Sequence, residues 1–214
     1  MISSRIAYDT ALAAAVSNGI AQSQSPGGAG SLTLNGSLVS GGVATLDSNG
    51  NARQVLFTFG ADESAHTFTV TGTLLANGNS VTETVAGAAA TATTVNFFFT
   101  VTSVTINAAS AGTITVGTNG VGASPWKVVN HRKNPFQMGI GTILKSGTVN
   151  WTVQHTFSDV FDPAILPTAF DHSVIASKAA NTDGNYAFAP IAIRTKINSG
   201  TGTVRTEAVQ SQDR

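Results

Sequence analysis
The chain writes "SGTVNWTVQHTF" at 146–157 and "SGTGTVRTEAVQ" at 199–210, with a looser relative, "SAGTITVGTNG", at 110–120. In each, small residues precede a stretch in which Val alternates with polar residues. An extended strand sends successive side chains to opposite faces, so the Val positions bury one face and the polar positions wet the other. The Gly-Thr pair ahead of the alternation reads as a tight turn, because glycine tolerates the positive φ that a reversal needs. The phrases predict similar hairpins. Their recurrence follows either from duplication or from a Thr- and Gly-rich composition.

The same period of two runs outward from these phrases. "SLTLNGSLV", "RQVLFTF", "HTFTVTGTLL", "SVTETV", "FFFTVTSVTI" and "GTITVG" all alternate, and Thr, Val and Phe favour strands. Asn-Gly recurs at 35–36, 49–50, 77–78 and 119–120, and Asp-Gly stands at 183–184. These dipeptides accept the positive φ values of hairpin turns. No helical pattern separates the runs, which argues against parallel βαβ units and for antiparallel sandwiches or barrels. The stretch 117–136, with its glycines and two prolines, reads as a linker. A mainly β chain results, with two tandem antiparallel sandwiches of jelly-roll or immunoglobulin-like type at 27–122 and 123–214. Val149, Trp151 and Val153 share one strand face and are expected in the second core.

Only the N-terminus departs from this period. In "SSRIAYDTALAAAVSNGI" (3–20) the apolar residues Tyr8, Leu12, Val16 and Ile20 recur every fourth position, the spacing of one helix face. Ser3 or Ser4 can cap the start, the alanines favour helix, and Asn18-Gly19 can end it. A short helix and a flexible connector, "QSQSPGGAGS", are therefore expected over 1–26. The stripe either docks on the chain's own sheet or contacts another subunit through those four residues.

In 214 residues, 42% are apolar and only 10% charged, against about 25% in an ordinary soluble domain. Thr, Ser, Asn and Gly must cover the surface instead. Such a surface sheds little hydration when buried against another molecule. The net charge is zero, so no global field draws in nucleic acid or anionic lipid. Residues 1–124 carry two bases and five acids; residues 125–214 carry nine bases and six acids. The absence of Cys excludes disulfides and thiolate-ligated metals. Arg5 and Asp9 interrupt the apolar stretch that a signal peptide would need, so none is expected, and no apolar run reaches membrane-spanning length. A soluble chain folding in a cytoplasm is expected.

Few residues form a chemical signature. His66, His131, His155 and His172 show no metal-ligand spacing, though His155 precedes a loop with Asp159, Asp162, Asp171 and His172 that could supply a metal or an acid–base pair. "DSNGN" (47–51) starts like a calcium loop but has Ala52 and Thr58 where Gly and Glu belong, so a hairpin turn explains it better; "NTDGN" (181–185) is equally incomplete. "GVGASPWK" lacks the order of a phosphate loop, and "NHRKN" is a short basic loop with no basic face around it. Trp126, Tyr186 and Phe188 are aromatics that could stack on a glycan, while the paired carboxylates of a glycosidase are not recognisable. No catalytic, cofactor-binding or metal-binding residue is assigned.

The N-terminal "SSRIAYDTALAAAVSNGIAQSQS" with "LTLNGSLVSGGVATLD", and the C-terminal "MGIGTILKSGTVNWTVQHTF", "DGNYAFAPIAIR" and "NSGTGTVRTEAVQ", resemble small virion structural proteins of tailed bacteriophages. The resemblance spans nearly the whole chain and rests on strand-and-turn phrases. It implies a non-enzymatic β-sandwich protein without cofactors, made in the bacterial cytoplasm and built into the virion in several copies. Its expected partners are itself and other virion proteins, such as portal, adaptor, tail or capsid subunits, with a host-surface glycan as a further ligand class. A fibre-like appendage at the head–tail or tail region is the first expectation, capsid decoration the second, and a glycan-binding module the third.

Overall fold
The computed structural model describes residues 5–74, 80–132 and 134–210. In chain order its strands are β1 (Arg5–Thr10), β2 (Ala21–Gln24), β3 (Gly30–Ser31), β4 (Val39–Ser40), β5 (Val43–Thr45), β6 (Ala52–Phe59), β7 (Thr67–Thr73), β8 (Ser80–Ala86), β9 (Thr91–Thr93), β10 (Thr100–Ile106), β11 (Ile114–Ala123), β12 (Lys127–Val128), β13 (Met138–Thr156), β14 (Phe170–Asp171), β15 (Thr182–Tyr186) and β16 (Ala192–Gln210). Every strand pairing with a resolved register is antiparallel. Among the described residues there is no helix.

The chain divides into two compact units, Ala13–Val121 and a second formed by Met1–Leu12 with Gly122–Arg214. The division inside the expected linker falls near the end of a strand, β11, and the N-terminal residues join the later unit.

In the Ala13–Val121 unit, one sheet runs β4–β5–β10–β7–β8 with β3 on β10. Inward side chains of β7 and β10 (Phe68, Val70, Val101, Val104, Ile106) meet Val55, Phe57 and Phe59 of β6 and Ile114 and Val116 of β11 in one buried cluster. The rings of Phe57 and Phe68 lie 5.0 Å apart. Outward, the period of two places threonines side by side. Thr69 approaches Thr84, and Thr71 approaches Thr82, at 3.4 and 3.3 Å between hydroxyls.

The other unit is built on one long pairing, β13 with β16, in register from Met138↔Gln210 to Thr156↔Ala192. Here the repeated phrases meet: Gly147 faces Gly202, Thr148 faces Thr201, and Val149 faces Gly200. They are not chain reversals. They form a corner inside two continuous strands, where Gly147, Gly200 and Gly202 take φ of 74°, 88° and 147°, and the register shifts between Leu144 and Ser146 and again between Asn150 and Trp151. A Cβ on Gly147 would stand 2.1 Å from the Thr201 carbonyl oxygen. The corner folds the sheet over itself, so Met138, Ile140, Val204 and Ala208 from one half pack with Trp151, Val153, Ile193 and Ile197 from the other. Val149, Trp151 and Val153 are buried as their alternation requires. Thr195 and Thr206 hydroxyls, 2.6 Å apart, link the halves. The first half is widened by β15 on β13 and by β1 on β16; the second carries β14 on β13 and β12 on β16.

The expected N-terminal helix is replaced by β1, then residues 11–16 without regular structure, a turn, and β2. β1 lies along β16 from Arg5↔Val209 to Thr10↔Val204. Six alternating residues, RIAYDT, satisfy a strand with Ile6 and Tyr8 inward as well as they satisfy a helix stripe, and tertiary pairing decides the outcome. The proposed caps Ser3 and Ser4 lie outside the described residues, as does the Asn77-Gly78 turn. Asn49-Gly50 does turn, with Gly50 at φ 77°. Asn119-Gly120 and Asp183-Gly184 instead lie within β11 and β15.

Candidate functional site
The four residues of the expected stripe do not share a face. Tyr8 sends its hydroxyl inward to accept a hydrogen bond from the Thr195 hydroxyl at 3.1 Å, and Leu12 packs on the same unit's core. Ile20, fully buried, belongs to the core of the other unit. The Val16 amide donates to the Thr118 hydroxyl at 3.0 Å. Among the described residues no helix aligns the four into the expected stripe.

The calcium-like "DSNGN" turn is a structural clasp. Asp47 Oδ1 accepts from the Asn49 amide at 2.8 Å and Oδ2 from the Ala13 amide at 3.0 Å. Buried Arg53 stands 3.7 Å from that carboxylate and donates to the Ala13 carbonyl at 2.7 Å and to the Asn119 carbonyl. Oδ1 thus holds the turn itself, while Oδ2 and Arg53 fasten the backbone of Ala13. His66 and buried Glu63 pair at 2.5 Å, while Glu63 also accepts from the Gly112 amide at 2.9 Å; this pins the loop before β7. His131 lies on the surface. Among the described residues no three His, Asp or Glu side chains converge as a metal site requires.

The segment after β13 is different. β13 is buried on both faces from Trp151 to Thr156, and the chain returns along its edge, with β14 at Gln154 and His155 and a bridge from Lys178 to Trp151. His172 and Val153 bond through the His172 amide, Val153 and Ile175 through the Val153 amide, each at 2.8 Å. Gln154 donates to Asp171 at 2.8 Å and accepts from Arg194 at 2.8 Å. The Arg194 guanidinium lies 4.3 Å above the Trp126 ring, which covers the first of the three glycan candidates. Burial lowers Arg194 to about 10, still far above neutrality, so it stays cationic.

This return carries an aromatic cluster to the surface. His155, itself buried, is ringed by Phe157, Phe170, Tyr186 and Phe188 at 5.2–5.7 Å between centroids. Phe157 lies 5.9 Å from Phe170 and 5.7 Å from Phe188. Tyr186 is buried, but Phe157, Phe170 and Phe188 remain 51%, 46% and 47% exposed. Along the same loop Phe161 is 70% exposed, with Ile165, Leu166 and Val174 also exposed. Asp159 and Asp162, the near pair of carboxylates, are spent on local turns, accepting from the Phe161 and Ala164 amides at 2.9 Å.

Behind the rings, His172 Nδ1 accepts from the Val174 and Ile175 amides at 3.1 Å, and its Nε2 faces the Asn185 carbonyl at 3.2 Å. That pattern fits the neutral ring with its proton on Nε2. Burial pushes the pKa of His172 down; it also lowers His155, where the neighbouring His172 adds to the effect and Asp171 opposes it. The two histidines thus serve as uncharged supports for the aromatic face.

Sequence reading singled out Phe188 for glycans but missed Phe157 and Phe170 as a surface. The signal lies in "FSDVFDPAILPTAF": a proline-broken loop with no strand period that nevertheless holds six large apolar residues. Comparison of the chain with models of known families and with characterised proteins gives no match.

Proposed function
We propose that this chain is a non-enzymatic structural subunit of a tailed-phage virion, present in several copies at the tail or head–tail region. We further propose that each unit is a sandwich of jelly-roll or immunoglobulin-like type. The virion setting rests on the resemblance of the strand phrases described above. The observation that carries the assembly role is the exposed aromatic face of Phe157, Phe170 and Phe188, because contiguous apolar patches on folded chains mark contact sites. Aromatic rings held by a buried support suit a permanent interface, since little side-chain freedom is lost on docking. Phe157 is tilted by 56° against Phe170 and by 45° against Phe188. They form a knob for a protein pocket better than a flat platform for a sugar.

Capsid decoration is the second reading. What favours it is that the N-terminal segment, expected as a helix, holds strand β1 against β16, so no helix among the described residues projects as an anchor for an appendage. Quantitative peptide mass spectrometry of purified particles separates the two: copies on the order of tens fit an appendage, and hundreds fit decoration, because shell symmetry multiplies each site. A particle without the chain overturns both.

A further inference from the structure
Among the described residues the first strand, β1, has a strand partner, β16, on one edge only, and its sequence is complementary to itself. Its outward side chains are Arg5, Ala7 and Asp9 and its inward ones Ile6, Tyr8 and Thr10. Arg5 reaches Glu207 at 3.4 Å, and Asp9 bonds Arg205 at 2.8 Å, all four partly exposed. An open edge leaves a row of backbone donors and acceptors ready for another strand.

We propose that two copies of the chain join through β1 across a twofold axis at Ala7, making one continuous antiparallel sheet. The proposal rests on the reading of the chain as a multi-copy subunit, and it uses a surface other than the aromatic face. The register follows from charge. Antiparallel pairing about Ala7 sets Arg5 opposite the partner's Asp9, Ile6 opposite the partner's Tyr8, and Asp9 opposite the partner's Arg5. Each Asp9 then lies between two guanidiniums, Arg205 of its own chain and Arg5 of the partner subunit. A slip of one residue would set outward side chains against inward ones. Centring on Arg5 or Asp9 would set like charges opposite each other, which is unfavourable. A twofold contact of this kind closes as a dimer, and the new main-chain hydrogen bonds supply the attraction.

The chain has no Cys, which makes the test direct. In the full-length protein, Ala7→Cys places two thiols opposite each other at the axis, about 4.5–5.5 Å apart at Cβ. Val209→Cys, also exposed, would place them three strand spacings apart, more than about 14 Å. Light scattering should give twice the chain mass. Oxidation, or a short thiol-reactive linker, should trap A7C as a covalent dimer and leave V209C uncrosslinked. Asp9→Arg should weaken the dimer roughly tenfold, since two cross-strand pairs become repulsive. The double variant Arg5→Asp with Asp9→Arg should restore it. In that double variant both intrachain pairs, with Glu207 and with Arg205, are like-charged, so recovery reports the contact between copies alone. An oligomer whose A7C crosslinks no more than V209C overturns this edge and leaves the multi-copy reading standing. A monomer at every concentration, with no crosslink, overturns the edge and removes self-assembly in solution from that reading as well.

Discussion
His172 sits where a proton would be costly. Its Nδ1 already accepts two amides, so protonation would turn an acceptor into a donor facing donors. Burial lowers its folded pKa, and that of His155, below the ordinary 6.5. The unfolded chain then takes up protons that the folded chain refuses as pH falls below that value. The stabilisation is complete above the unfolded pKa and declines as pH drops toward the folded one. Thermal melts should therefore show the melting temperature falling between about pH 7 and pH 5. His172→Asn should have a lower melting temperature at neutral pH and a shallower fall. A wild-type melting temperature that holds flat across that range would contradict the assignment of both histidines as neutral supports.

At the scale of the element, the corner in β13 and β16 governs how one unit closes. Gly147 and Gly200 hold positive φ, and a Cβ on either would stand 2.1 Å from a facing carbonyl oxygen. Gly147→Ala and Gly200→Ala should each lower stability by about 2–4 kcal/mol, from left-handed backbone strain together with the steric clash. Gly139→Ala, in the same β13 but with open space at its Cβ position, should be neutral or stabilise by about 0.5–1 kcal/mol. Urea unfolding of the three variants checks the contrast. The sequence made the strands of this pairing legible, because Val149, Trp151 and Val153 obey the period of two in a single core. It hid the corner, because a glycine at positive φ looks the same in a turn as in a bent strand. The N-terminal strand was hidden for a related reason. "RIAYDT" is short enough to satisfy both periods, and the choice lies with β16, some two hundred residues away in the chain.

At the scale of the whole molecule, each unit carries its own core, and the N-terminal segment is shared out between them by sequence position. In the Ala13–Val121 unit, Ile20 and Ala21 are fully buried, and the Asp47–Arg53 clasp holds the backbone of Ala13. A fragment of residues 13–121 should unfold cooperatively in circular dichroism melts. A fragment of 27–121, starting where composition suggests the domain begins, should lose about 3–5 kcal/mol or fail to fold, because the core loses Ile20 and Ala21 and the Asp47–Arg53 pair loses Ala13. Composition placed that boundary at a flexible-looking stretch, yet β2 within it pairs with β11, a long-range contact that local glycine and serine content does not reveal. The aromatic face was equally indistinct in sequence: its exposed rings come from the residue after β13, from β14 and from the segment after β15, and only the fold gathers them. Its burial in an assembled particle is the centre of the functional account. Hydroxyl-radical footprinting of the free chain and of purified particles tests that burial directly. Phe157, Phe170 and Phe188 should oxidise readily in the free chain and be protected in the particle; equal oxidation in both states would contradict the account.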